Sequence, residues 1–479
     1  MTSRVLILGA GPTGLAAGYR LAQRGVSVHV IERLPWVGGL CKTFQHGPFS
    51  LDLGPHRFTP HTDEVYQTVR DLCGDELKVT PERVRFYLFD RFLTYPFRLG
   101  EVLGGVGPLK ATRLIASWLS DRAHFSGRAE SDMNYEEWLR ARFGQGVTDL
   151  VFRPLVEKTW GVPLHELHWR LARQRIAVGS LREVMAQIIT GKRSKLFQSQ
   201  FYPYGTFLYP QKGYGTIPER MAEAIVKAGG QVTTSAQVEK LIVRDGRVRS
   251  IVYRHNDVEE TAEADYVIST LPVSLFADML SPESPDADLD AARQAAPALR
   301  FRKLILVYLV VNKPQVYPYG VAFFPGREFR FGRTWEQKNF SPSMVPGNQT
   351  VFGAEITCWE TDPLWKAEDK DIFDLIIPQL ERCNLIRRSE VAECFTVRLG
   401  YVYPVWDTHF ERNLSIVEKY VSKVENLIIN GRPGLFFYNN LHHSLEMGFL
   451  SADHVLSGKP KAEQWERDEL RFREYRLVE

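Results

Sequence analysis

At 479 residues, with 60 basic and 57 acidic side chains and a formal net charge of +3, the chain suits two or three interleaved domains and lacks the strong positive field of a nucleic-acid binder. Its five cysteines, Cys41, Cys73, Cys358, Cys383 and Cys394, are odd in number and without CxxC spacing, which argues against a disulfide framework or a zinc site, and no metal is expected. No charged start precedes a long apolar stretch, and the longest apolar run, 304–311 (LILVYLVV), falls far short of the roughly 20 residues of a membrane span; a cytoplasmic protein with that run as a buried strand is expected.

The first pattern is a β-branched and leucine-rich run, 4–8, followed by Gly9-Ala10-Gly11-Pro12-Thr13-Gly14, helical periodicity over 15–25 and a second strand over 27–31. In this βαβ context Gly9 permits a tight turn, Gly11 lets backbone approach a pyrophosphate, and Gly14 lets helix pack on strand, while the helix start offers N–H groups to the anion. Glu32, ending the second strand, is placed to accept both ribose hydroxyls. After Glu32-Arg33 a short loop ends in Gly38-Gly39. This ERxxxxGG extension resembles the one in FAD enzymes of the glutathione-reductase superfamily, where those glycines bring the chain back across the cofactor, and it implies FAD.

Further along, Leu99 to Leu119 has the pattern of an amphipathic helix, read as internal, with contact to a lipid surface as the alternative. Residues 209–218 lead into a helix over 219–228, then a strand pattern over 231–243, a turn at Asp245-Gly246 and the run ADYVISTLP at 264–272. That order resembles the second portion of the FAD domain in the monoamine-oxidase and protoporphyrinogen-oxidase group, where the residue in the place of Val238 meets the adenine through its backbone. The implied fold class is α/β: a discontinuous Rossmann-type FAD-binding domain (1–80, 206–275 and 420–458) with a mainly helical insertion (81–205), a mixed β-sheet substrate domain (276–419) and a charged tail (459–479) read as a solvated helix. Near the end of the chain a strand is expected to stop at Tyr438 and a helix to open at Glu446-Met447-Gly448, presenting N–H groups to the flavin's pyrimidine edge.

Five further segments, Gly54-Pro55-His56-Arg57-Phe58, 89–97, Glu157-Lys158-Thr159-Trp160-Gly161, 332–340 and Tyr403-Pro404-Val405, resemble in order and spacing those of UDP-galactopyranose mutase. The resemblance spans nearly the whole chain and implies a divergent relative. It implies that His56 lies beside the isoalloxazine, that Trp160 lines a nucleotide pocket, and that Arg333 faces substrate phosphate and flavin; the Tyr403 hydroxyl can donate a hydrogen bond to a phosphate. Each role suits its side chain: Arg333 forks two hydrogen bonds to a phosphate, Trp160 stacks on a flat face, and His56 donates or accepts a proton. An ion pair of Arg333 with Glu336 or Glu355 is the structural alternative. Two departures stand out. The chain reads Arg175-Ile176-Ala177-Val178-Gly179 where the mutases carry a second arginine, and Asn440 occupies the place assigned to their C-terminal arginine, with no phosphate-binding tyrosine in His442-His443-Ser444. Arg57, Asn440, His442 and His443 are the polar groups left there for a different ligand. Two enzyme classes follow: flavin N5 chemistry at the carbon of a sugar or nucleotide sugar, and hydride transfer to flavin N5 in the manner of the amine oxidases. A flavin-bound scaffold leaves His56, Trp160 and Arg333 unexplained.

Overall fold

The computed structural model describes residues 3–95, 99–176 and 199–477; residues 96–97 and 177–179, parts of two segments singled out above, lie outside these. The N-terminal pattern folds as read: β1 (Arg4–Leu8), α1 (Pro12–Gln23) and β2 (Ser27–Ile31). β1 lies at the centre of a parallel five-stranded sheet, with Tyr266–Ser269 and Leu427–Ile429 on one side and β2 and Gln231–Thr233 on the other. Strands buried on both faces need no alternation, which is why β1 is a continuous apolar run. The expected strand over 231–243 is two, because Ser235 adopts φ +54 and the second piece, Ala236–Arg244, leaves for a separate four-stranded sheet.

The second large sheet has seven strands, and Phe301–Val311 is near its edge in order but central to its packing. Its side chains alternate between two cores. Leu304, Leu306, Tyr308 and Val310 face the parallel-sheet half of the molecule, whereas Ile305, Val307, Leu309 and Val311 join the cluster backed by Ile372, Ile376 and Leu380 of the helix Asp369–Arg382. The period of two thus sorts one apolar run onto two hydrophobic bodies. The hairpin Val84–Leu88 and Arg91–Thr94, inside the stretch expected to be helical, extends this sheet by pairing with Val321–Phe323.

Two helical expectations are corrected. Residues 99–119 form not one helix but two, Leu99–Val106 and Pro108–His124, separated at Gly107 with φ +74, a backbone that favours glycine, and Pro108 then starts the second helix. That helix is not internal: one side packs on Tyr135–Val147, where Trp118 lies over Gly144, while Leu109, Ile115 and Leu119 are 67%, 50% and 56% exposed. The charged tail is no free solvated helix either. Trp465 and Phe472, two turns apart on Trp465–Phe472, are buried together, and Leu477 is covered as well. Among the described residues, no helix is long and apolar enough to cross a membrane.

Candidate flavin and substrate site

The turn between β1 and α1 has the shape an anion needs. Gly9, at φ +101, donates its N–H to Ile31 O at 2.8 Å, and a Cβ there would strike the Thr270 hydroxyl. Gly11 caps α1 without a side-chain bond, and nothing lies within 4 Å of where its Cβ would stand, so the first amides of α1 open onto free space. Gly14 lets α1 run hard against the turn, since a Cβ would overlap Gly9 O. The Glu32 carboxylate is held at the end of β2, accepting the N–H of Ala10 and of Leu34, both at 2.8 Å. Gly38 (φ +102) donates to Ala10 O at 2.8 Å, and Gly39 (φ +53) faces the Gly11 Cα. Val238 is buried just beyond, where Ala236 N–H pairs with Glu32 O. Arg33 is exposed beside Tyr401.

At the other end of the chain the helix begins five residues earlier than expected. It spans Leu441–Ser457 with Asn440 as its cap, so its first amides are those of 441–443, and Glu446, Met447 and Gly448 lie inside it. No strand ends at Tyr438: a short turn, Gly431–Gly434, and a loop precede the helix. The small residues that suggested a helix start serve packing instead. Gly448 lies against α1, where a Cβ would overlap Thr13 O, Met447 O accepts from Asn430 Nδ2 at 2.8 Å, and Glu446 accepts from the Tyr475 hydroxyl at 2.8 Å.

Between these two ends lies a buried cluster of rings and guanidinium groups. His56 follows the strand Phe49–Asp52 after Gly54 (φ +99) and stacks on Tyr214 at 4.9 Å with 9° between planes. Its Nδ1 is buried without a hydrogen-bond partner among the described residues. Burial first, then the charges of Arg333 and Arg432, push its pKa down to about 3, so the ring is neutral, with a proton on one nitrogen and a lone pair on the other. Arg333 turns its fork to Glu355, with Nε–Oε2 at 2.8 Å and Nη2–Oε1 at 2.7 Å, the ion pair foreseen as its structural alternative. Trp160 is fully buried and donates to Pro404 O at 3.4 Å. The Arg175 guanidinium lies 4.4 Å from the Trp160 ring centre and 5.1 Å from that of Tyr438, and Tyr403 and Tyr438 are 5.6 Å apart. Burial pushes the Tyr403 hydroxyl strongly upward, so it remains a proton donor. Arg57 is drawn away into an ion pair with Glu82, and His443 meets the Asn440 N–H through Nδ1 at 3.3 Å.

Arg432 is the residue the sequence reading missed. It sits 4.3 Å from the ring centre of Tyr438 and 5.5 Å from that of Tyr403, with Nη1 donating to Asn439 O at 3.3 Å. Its Nε and Nη2 are buried with no hydrogen-bond partner among the described residues. Arg432 and Tyr438 thus bring a cation and a phenol together beside Asn439. The available signal was position: Gly431-Arg432 follows Leu427–Ile429, and ligands collect at the carboxyl ends of parallel strands.

An open glycine turn at a helix start, a carboxylate fixed at the end of β2 and unpartnered polar atoms at the carboxyl edge of the sheet suit a flavin dinucleotide, and they mark the molecule as a Rossmann-type flavoprotein. The chain belongs to the family described as flavin containing amine oxidoreductase, which matches residues 12–440, and FAD is its cofactor. It is 22% identical over 485 residues to protoporphyrinogen oxidase 2, chloroplastic/mitochondrial, of Arabidopsis thaliana, covering 93% of this chain and 91% of that protein. With the zeta-carotene-forming phytoene desaturase of Myxococcus xanthus it shares 24% identity over 406 residues, 78% and 72% of the two chains. In fold it is similar to reduced UDP-galactopyranose mutase, with a TM-score of 0.81 at 22% identity over 95% and 94% of the chains. A putative protoporphyrinogen oxidase from Exiguobacterium sp. 255-15 gives 0.69 at 17% identity over 96% and 100%.

Proposed function

We propose that this flavoenzyme acts on a sugar or nucleotide sugar, and that Arg432 holds the substrate's anionic group. The observation that carries this reading is the pair of donors, Nε and Nη2, without a partner among the described residues, on a buried guanidinium beside two tyrosine rings. A buried cation without a counter-charge costs several kcal/mol. A phosphate oxygen pair repays that cost by bidentate hydrogen bonding, whereas a hydrocarbon does not. On this reading Tyr403 and Tyr438 bind beside Arg432, Arg175 and Trp160 form the wall toward a base or sugar face, and Arg333 is held by Glu355 so that it orients rather than neutralises. His56 holds or moves a proton at Nδ1. FAD, when bound, supplies a ring that accepts a hydride or, reduced, is nucleophilic. Residues 1–80, 206–275 and 420–458 hold the cofactor, as in the glutathione-reductase superfamily, 81–205 and 276–419 build the substrate side, and the enzyme works in the cytoplasm. The second reading, hydride transfer in the manner of the protoporphyrinogen oxidases and desaturases, is favoured by the names of the sequence relatives and by the aromatic walls.

Anaerobic flavin spectroscopy separates the two. Nucleoside diphosphates and nucleotide sugars are added to the FAD-loaded protein before and after dithionite reduction. A spectral change in the reduced form, without net oxidation and lost in Arg432→Ala, is the expected result. Silence toward every nucleotide, with oxygen consumption on a polyene or porphyrinogen, would overturn it.

A further inference from the structure

At the start of the C-terminal helix three histidines from two distant segments converge. His61 precedes the helix Asp63–Cys73, and His442 and His443 lie in the first turn of the helix Leu441–Ser457. One ring nitrogen of each lies within 4.8 Å of those of the other two. His442 and His443 are buried and His61 is exposed. Nε2 of His442 is 3.2 Å from Nε2 of His443, and the His61 ring stands edge-on to that of His442 at 4.4 Å. Two imidazole nitrogens bound to one tetrahedral ion, each at about 2.0–2.1 Å, are about 3.4 Å apart, so the buried pair already has the required bite. Outer groups hold the rings in place. Thr59 Oγ1 is 3.4 Å from His442 Nδ1, the position that leaves Nε2 its lone pair, and Tyr475 stacks on His443 at 4.4 Å.

We propose that His61, His442 and His443 form a binding site for a borderline divalent cation, Zn²⁺ or a neighbouring first-row metal, with a fourth position open toward solvent on the His61 side. Imidazole donors select this class over calcium or magnesium, which take oxygen. Ligation through both buried Nε2 atoms moves the His443 proton to Nδ1 and opens its 3.3 Å contact with the Asn440 N–H. The ion ties the segment carrying His56 to the C-terminal helix. Composition pointed away from a metal because it weighed cysteines, and nothing in sequence spacing relates His61 to residues some 380 positions later.

The test is calorimetric titration of Zn²⁺ into the tag-free, FAD-loaded full chain after treatment with a chelator. One ion per chain is expected, bound about tenfold or more weakly by His61→Ala and by His443→Gln, with the exposed His165→Ala as a control that binds as the parent does. His61 is exposed, so its substitution leaves the fold intact. Absence of saturable uptake, or uptake that survives both substitutions, would overturn the proposal.

Discussion

His56 and Arg432 are two buried polar side chains with opposite demands. His56 stays uncharged, whereas Arg432 is a cation with two nitrogens that have no hydrogen-bond partner among the described residues. Replacing His56 by alanine is expected to leave FAD bound and to slow turnover by about 10²-fold, the usual size of a lost proton-transfer group, read from steady-state rates. Arg432→Lys retains charge but loses the fork; nucleoside diphosphate affinity is expected to fall about tenfold or more by flavin titration, while Arg57→Ala changes it little. Acid stability follows from the same burial. The His56 pKa is lowered to about 3 and that of His443 also to about 3, with His442 lowered as well, against 6.5 in an unfolded chain. Between those values the unfolded state binds more protons, so this contribution is whole above the unfolded pKa and is lost as the pH falls from about 6.5 toward 3. The thermal midpoint should drop steadily over that window, and less steeply in His56→Asn. His56 was singled out by the mutase-like segment Gly54–Phe58, and the structure buries its ring; Arg432 was not, because it stands outside every segment that carries that resemblance.

At the level of elements, the glycine turn and α1 were readable because each residue answers a local demand that sequence states directly. Where the C-terminal helix starts was not, since Asn440 is a weaker mark than the run Glu446-Met447-Gly448, in which Gly448 serves contact with α1. These two uses of glycine separate experimentally. Gly11, at φ −71 with open space about it, should accept alanine with no loss of thermal stability yet bind FAD more weakly, as judged by cofactor retention on dialysis. Gly448→Val, by contrast, drives a side chain into Thr13 O and should destabilise the protein by about 1–3 kcal/mol in chemical denaturation, carrying cofactor binding down with it. The break at Gly107 escaped the helical reading because the apolar period continues across it, while the exposed Leu109, Ile115 and Leu119 show that an amphipathic pattern alone does not say which face is covered.

Over the whole molecule, Phe301–Val311 sets the partition between cofactor and support. Leu306 and Leu309 are both fully buried, on opposite faces of one strand. Truncation of either to alanine is expected to cost about 2–5 kcal/mol. Only Leu306→Ala, whose side chain reaches toward Gly54, should also disturb the flavin's absorption and fluorescence. Sequence reading recognised the run as a buried strand but not its two-sided assignment, which depends on the helix Asp369–Arg382 folding behind it. The parallel sheet raises a matter of timing. Its strands come from 4–31, 231–233, 266–269 and 427–429. At ribosomal rates of about 5–20 residues per second, β1 and β2 wait roughly 10 to 50 s for the neighbouring strand that ends at Ser269, and longer for Ile429. A chain stopped short of Leu427 lacks the last strand of that sheet and the Arg432 that follows it, so a bound yellow cofactor is a mark that synthesis ran nearly to completion.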